Sequence, residues 1–264
     1  MKVTFPHLGD THRFGDLLMK ELGIPVVRPR TNCQEGLERG SALSPEEICL
    51  PFKLMVDNLL SAWELGADTV IMPATMGPCR LGEYGELLKK VTEREGCAYR
   101  FILLDAAEDI GLGGLAARIL EVGREGTCSR RKAINALLDT YRLIVEFEKL
   151  EAEAHLLSGF ERDRGTAKGL LEDGRKDLDR TLDLKDAIRD VKARRLLLSK
   201  VERDPERRPL RLLLTGEIYS SIEPFANHRI EDLLMTMGVA FERRITLGWW
   251  LRNTVREPLE HGLH

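Results

Sequence analysis

Residues Thr69–Met72 read TVIM, a short β-branched and apolar run that halts at Pro73. A turn follows, Met76-Gly77-Pro78-Cys79-Arg80, and then a helix begins around Glu83. A run so short and so apolar suits a strand buried on both faces, and such a strand feeding a helix through a tight turn is half of a parallel α/β unit. The pattern recurs on either side. Val3–Phe5 is a first strand ended by Pro6, with His7, Gly9 and Asp10 in the loop past its carboxyl end. The spacing of Phe14, Leu17, Leu18 and Leu22 predicts a helix over Thr11–Leu22, and Gly23 supplies its C-cap. Ile24–Val27 reads as a second strand ended by Pro29, followed by a loop from Arg30 to Leu43 that carries Cys33. Ser44-Pro45-Glu46-Glu47 has the capping serine, the first-turn proline and the glutamate of a helix start, which puts Cys49 in that helix's second turn. The helix Glu83–Glu95 is stopped by Gly96, and Tyr99–Leu104 is a fourth strand.

Four strands alternating with helices through short connections predict a parallel sheet with flanking helices, of the flavodoxin or Rossmann kind. The middle of the chain differs. From about Ser129 to Arg208 there is no strand signal. Ile134, Leu137, Leu138, Tyr141, Ile144, Val145 and Phe147 keep helical spacing. Glu161–Arg194 is dense in charge and interrupted by glycines, and reads as a charged joint before a second helix ending near Leu198. That charge run is most simply a solvated face, with a partner-docking surface as the alternative. Leu210–Leu214 then reads as a strand, a helix follows from about Phe225 to Met237, and Val239–Ile245 is a last strand. The expected organisation is a parallel α/β domain over 1–110, a helical region over 111–208, and a second α/β segment over 209–264 in which the sheet resumes.

Forty Lys and Arg against 43 Asp and Glu leave a net charge of −3, which offers no basic footprint for nucleic acid. No apolar run is long enough for a membrane span, and the first ten residues lack the layout of a signal peptide. A cytoplasmic protein is expected, in which the five cysteines are core residues, reactive thiols or metal ligands rather than disulfides. Cys97, beside a strand start, reads as a small core residue, and Cys128 as a loop residue ahead of a helix cap. Cys33, Cys49 and Cys79 differ in placement. Cys33 and Cys79 follow strands, and Cys49 lies at the amino end of the helix between them, so all three are expected at one rim of the sheet, where open α/β folds bind ligands. Helix amino ends there favour thiolates. Three thiolates suit a 4Fe–4S cluster with one open iron position, and with a water they equally suit zinc. No C-x-x-C is present. His7 and Glu217 also follow strand ends and are candidate catalytic groups: a proton donor, and an oxygen ligand or proton relay. A structural histidine and a helix-capping glutamate are the plainer alternatives. Gly111-Leu112-Gly113-Gly114 is read as a helix-start loop rather than a dinucleotide fingerprint.

Four segments carry a resemblance: VTFPHLG at Val3–Gly9, EEICLPFK at Glu46–Lys53, MPATMGPCRLGEY at Met72–Tyr84, and GEIYSSIEPFAN at Gly216–Asn227. They resemble the activase-related branch of the superfamily that includes 2-hydroxyacyl-CoA dehydratase subunits, benzoyl-CoA reductase subunits and double-cubane-cluster proteins. The resemblance implies a 4Fe–4S cluster on Cys33, Cys49 and Cys79. It also implies low-potential electrons delivered by a separate ATP-dependent activase that carries its own iron–sulfur cluster. A bridged double cubane needs six cysteines, so it would be shared between two subunits, consistent with an expected homodimer. This chain has no G-x-x-x-x-G-K-[ST] phosphate loop, as expected if the partner handles ATP. The function so implied is a reductase or dehydratase-like redox component. A non-catalytic cluster carrier or scaffold, and a zinc-bound or metal-free α/β binding protein, are the alternatives.

Overall fold

The computed structural model describes residues 1–74, 80–105, 122–123, 126 and 128–253. The chain forms two compact units, one of Met1–Ile134 with Arg252–His264, the other of Asn135–Leu251.

In the first unit the elements run β1 (Val3–Thr4), α1 (Thr11–Leu22), α2 (Gln34–Leu43), α3 (Leu50–Glu64), β2 (Thr69–Ala74), a 3-10 turn (Arg80–Glu83), α4 (Tyr84–Arg94) and β3 (Arg100–Asp105). The three strands are parallel in the order β1-β2-β3, with Val3 opposite Thr69 and Thr69 opposite Arg100. The expected strand Ile24–Val27 is reduced to one bridge, Val26 to Val3. Proline is the reason: Pro25 has no N–H for a ladder, so the segment keeps only Val3 N–H to the Pro25 carbonyl and Val27 N–H to the Val3 carbonyl, 2.9 and 2.8 Å. Counting that bridge, the order is second-first-third-fourth, the doubly wound arrangement whose switch point lies between β1 and β2. Right-handed crossovers then set α1 on one face and α3 and α4 on the other. Val3, Val70, Ile102, Leu17, Phe52, Leu59 and Leu88 form the core.

Two helix boundaries differ from expectation. Residues 34–43 are a helix rather than a loop, and the helix expected from Ser44 begins only at Leu50. Ser44 is used elsewhere: its hydroxyl donates to the Gly40 carbonyl at 2.5 Å, closing α2. Pro51, which has no N–H to leave unpaired, takes the first-turn position of α3 instead.

The second unit holds most of α5 (Arg130–Leu157), then α6 (Thr166–Arg180), α7 (Leu184–Ser199), β4 (Arg211–Leu214), α8 (Ile218–Ile222), α9 (Ile230–Met237), β5 (Ala240–Arg243) and most of a helical stretch over 247–253. The expected charged joint is largely α6 itself. The Glu161 carboxylate accepts the Gly165 and Ala167 N–H groups, both at 2.7 Å, and Asp183 does the same for Lys185 and Asp186 at the start of α7. Charges on these helices pair with one another: Arg195 bridges Glu146 and Glu153, and Arg194 meets Asp177. β4 and β5 are parallel, but they form a two-stranded sheet of their own rather than a continuation of the first. Leu210, Leu212 and Leu213 on and beside β4 are 63, 37 and 61% exposed. The helix expected over 225–237 begins only at Ile230, as α9, and the short α8 lies ahead of the expected range. Pro224 ends α8, and two consecutive left-handed residues, His228 and Arg229, each at φ 55°, precede α9.

Among the described residues no helix is long and apolar enough to cross a membrane.

Candidate functional site

The carboxyl end of β1 leads into Pro6–Asp10, beside the amino end of α1. His7 is buried, and its backbone N–H donates to Asn58 Oδ1 on α3 at 2.9 Å. Asn58, fully buried, uses its Nδ2 to donate to Asn32 Oδ1 at 2.9 Å and toward the Arg30 carbonyl at 3.5 Å. Ser61, one turn on, accepts the Arg30 N–H at 3.1 Å. One buried amide thus ties the end of β1 to the segment that delivers Cys33. A buried donor left alone is expensive, so this network fixes the loop rather than decorating it. The His7 ring nitrogen Nε2 lies 3.1 Å from the Pro29 carbonyl and the ring meets His12 edge to face, 5.3 Å between centroids. Burial pushes His12 down to about 4, with Arg13 and His7 adding to the effect, so at neutral pH its imidazole is uncharged.

Cys33 is exposed and caps α2, its sulfur accepting the Gly36 N–H at 3.4 Å. α2 packs against α3 almost backbone to backbone, because a methyl on Gly36 would fall 2.4 Å from Asp57 Oδ2 and one on Gly40 would fall 1.8 Å from the Lys53 carbonyl oxygen. Those pairings, 36 with 57 and 40 with 53, make the two helices antiparallel. Burial raises the Asp57 carboxyl at this contact, with Arg39 and Arg30 opposing.

Cys49, also exposed, is the N-cap of α3 rather than a second-turn residue. Phe52, in the first turn of α3, packs edge to face on Tyr84, the first residue of α4, at 5.2 Å. The amino ends of α3 and α4 therefore meet. Cys79 lies outside the described residues; the covalent chain holds it one residue before Arg80, where the turn into α4 starts.

The structure does not bring Cys33 and Cys49 together. Asn32 bonds to Asn58, which lies nine residues along α3 from Cys49, on the order of 13 Å at the helical rise. α2, ten residues long, occupies the interval between the two thiols. Two thiolates so separated do not fit as ligands of one small cluster or one zinc ion, whose thiolates sit about 2.3 Å from the metal. Among the described residues no three His, Cys, Asp or Glu side chains converge to hold a metal ion. Cys97 is buried, with its thiol raised by burial, as expected of a core residue, and Cys128 is half-buried. Glu217 belongs to the second unit, where its carboxylate caps α8 by accepting the Tyr219 and Ser220 N–H groups at 2.8 and 2.6 Å.

Sequence reasoning missed Asn58, Asn32 and His12. His12 lies five residues after His7 in a strand-end loop, which is a visible signal; a lone buried asparagine in an apolar helix, Asn58 between Asp57 and Leu59, is a second.

The family model for the CoA enzyme activase uncharacterised domain (DUF2229) matches residues 8–243. No curated protein matches the chain. The family match takes in the β1 loop, α2 and α3 with their two thiols, and the second unit as far as β5, so the chain belongs to the CoA enzyme activase uncharacterised domain family, within the superfamily related to activases and 2-hydroxyacyl-CoA dehydratases.

Proposed function

We propose that this chain is a thiol-bearing redox component that works with an ATP-hydrolysing CoA enzyme activase, and that it receives electrons where the amino ends of α3 and α4 meet. The observation that carries the reading is Cys49: an exposed thiol at a helix start, set beside the turn that follows Cys79. Helix amino ends present unpaired N–H groups and partial positive charge, which favour a thiolate and an electron-rich cluster. Family membership supports the activase as the partner. In this reading Cys49 and Cys79 are the chain's contribution to an iron–sulfur cluster, completed by ligands from elsewhere, including a second copy. Cys33 is not a ligand of that cluster. When bound, the cluster would supply one-electron chemistry; the chain's own residues would hold it by thiolate.

The test is iron and acid-labile sulfide on anaerobically purified protein. The native chain and Cys33→Ser should both retain iron, whereas Cys49→Ser and Cys79→Ser should lose it. Iron below about one atom per chain in the native protein, or equal loss in Cys33→Ser, defeats the reading. Reduction of the iron-loaded chain by activase with ATP then tests the partner.

A further inference from the structure

Leu210 and Leu214 turn their carbonyls toward β5, accepting the Ala240 and Arg244 N–H groups at 3.0 and 2.8 Å. Backbone groups alternate in direction along a strand, so Leu212 faces β5 as well, and the N–H and carbonyl groups of Arg211 and Leu213 point the other way. No strand among the described residues lies along that outward row. The two strands also differ in cover: Ala240 and Phe241 of β5 are buried, whereas Leu210, Leu212 and Leu213 are exposed.

The register sets Leu213 opposite Glu242 and Arg211 opposite Ala240, all four on one face of the ribbon. Arg211 and Glu242 are exposed, and neither has an ion pair among the described residues; Arg211 lies over the Phe160 ring, 5.4 Å from its centroid.

We propose that β4 joins two copies of this chain, pairing antiparallel with β4 of a second copy about a two-fold axis at Leu212 to make one four-stranded sheet, β5-β4-β4-β5. In an antiparallel pair, outward-pointing residues must meet outward-pointing residues. With Leu212 opposite its counterpart, Arg211 meets Leu213 and Leu213 meets Arg211, so all four outward groups of each strand find partners within the strand. Leu210 falls opposite Leu214, and the face that carries Leu212 closes as a run of leucines. A slip that set Arg211 against its own counterpart would oppose like charges. On the other face, Arg211 of one copy stands beside Leu213 of the second copy and in line with its Glu242. The backbones concerned are two strand spacings apart, about 10 Å, a gap that an arginine and a glutamate span together. Symmetry makes this pair twice. The fitting occupant is therefore a strand that brings its own arginine and a neighbouring glutamate in this register, which a second copy does. The pairing uses neither Cys49 nor Cys79.

Sedimentation of the full chain across a concentration series tests this. The native mass should double on concentration, reversibly, because a strand pair buries less than the roughly 800 Å² per partner of a standard interface. Leu213→Pro should stay at the single-chain mass, since it removes an outward N–H that the ladder to β5 does not use. A native chain of single mass throughout overturns the proposal, as does a proline variant that doubles like the native chain. Should the proline variant not fold, charge exchange decides. Arg211→Glu should weaken association about tenfold by facing Glu242 of the second copy, and adding Glu242→Arg should restore it; equal association in all three proteins overturns the contact. Cys49→Ser should dimerise as the native chain does, and a dimer lost in that variant is held by the cluster rather than by β4, which also overturns it.

Discussion

Gly40→Ala is the sharpest probe of the wedge that carries both exposed thiols. The added methyl would start 1.8 Å from the Lys53 carbonyl oxygen, whereas ordinary contact begins at 3.4 Å, so α2 and α3 must part by the difference, about 1.6 Å. The obstacle is backbone, and no rotamer change relieves it. Forced separation of packed helices costs about 3 kcal/mol, at the upper end of overpacking effects. Alanine in a helix returns about 1 kcal/mol relative to glycine, leaving a net loss of about 2 kcal/mol. Gly169→Ala in α6 is the matched control, since nothing lies within 4 Å of the methyl it would add; it should gain up to about 1 kcal/mol. Urea unfolding at constant m-value reads both. The midpoint should fall for Gly40→Ala and rise for Gly169→Ala. A midpoint for Gly40→Ala at or above that of the native chain would refute the backbone-to-backbone packing of α2 on α3, and with it the separation of Cys33 from Cys49.

Asn58→Ala should destabilise the first unit by on the order of 2–3 kcal/mol, because the buried His7 N–H and the Asn32 side chain lose their partners; thermal unfolding measures the loss, and faster Cys33 labelling should accompany it. His12→Asn tests burial of a neutral imidazole. The folded value of about 4 lies below the unfolded 6.5, so this group's contribution is present above about 6.5 and disappears as pH falls through 4, a span of about 3 kcal/mol at most. The native chain should therefore lose stability on acidification relative to the variant. The other titrating groups are common to both proteins and cancel from the difference, and parallel pH profiles would contradict the assignment.

Much of the first unit is legible in the chain. α1 has the limits its apolar spacing predicts and ends on the left-handed Gly23 expected, at φ 74°. β2 begins where its apolar run places it but continues through Pro73 to Ala74, and β3 spans Arg100–Asp105 against the expected Tyr99–Leu104. The failures share one cause, namely tertiary packing that gives a residue a role its local pattern does not announce. Gly36 and Gly40 read as loop glycines but are the contact face of α2. Ser44 reads as the start of a helix but closes the preceding one. Inserting α2 puts Cys33 at the head of one helix and Cys49 at the head of the next, antiparallel one, where a shared rim is expected. His228 and Arg229 interrupt a helical pattern by adopting left-handed backbone without being glycine, which no periodicity foretells.

β4 pairs with β5 along one side only among the described residues, and its leucines face water on both surfaces. A strand of this composition carries none of the lysines, inward charges or bulges with which sheet margins ordinarily discourage intruders; its one cation, Arg211, is drawn aside over the Phe160 ring. Handled at high concentration, the isolated protein should therefore be sticky, and a single lysine in place of Leu213 should improve its solubility without disturbing the interior.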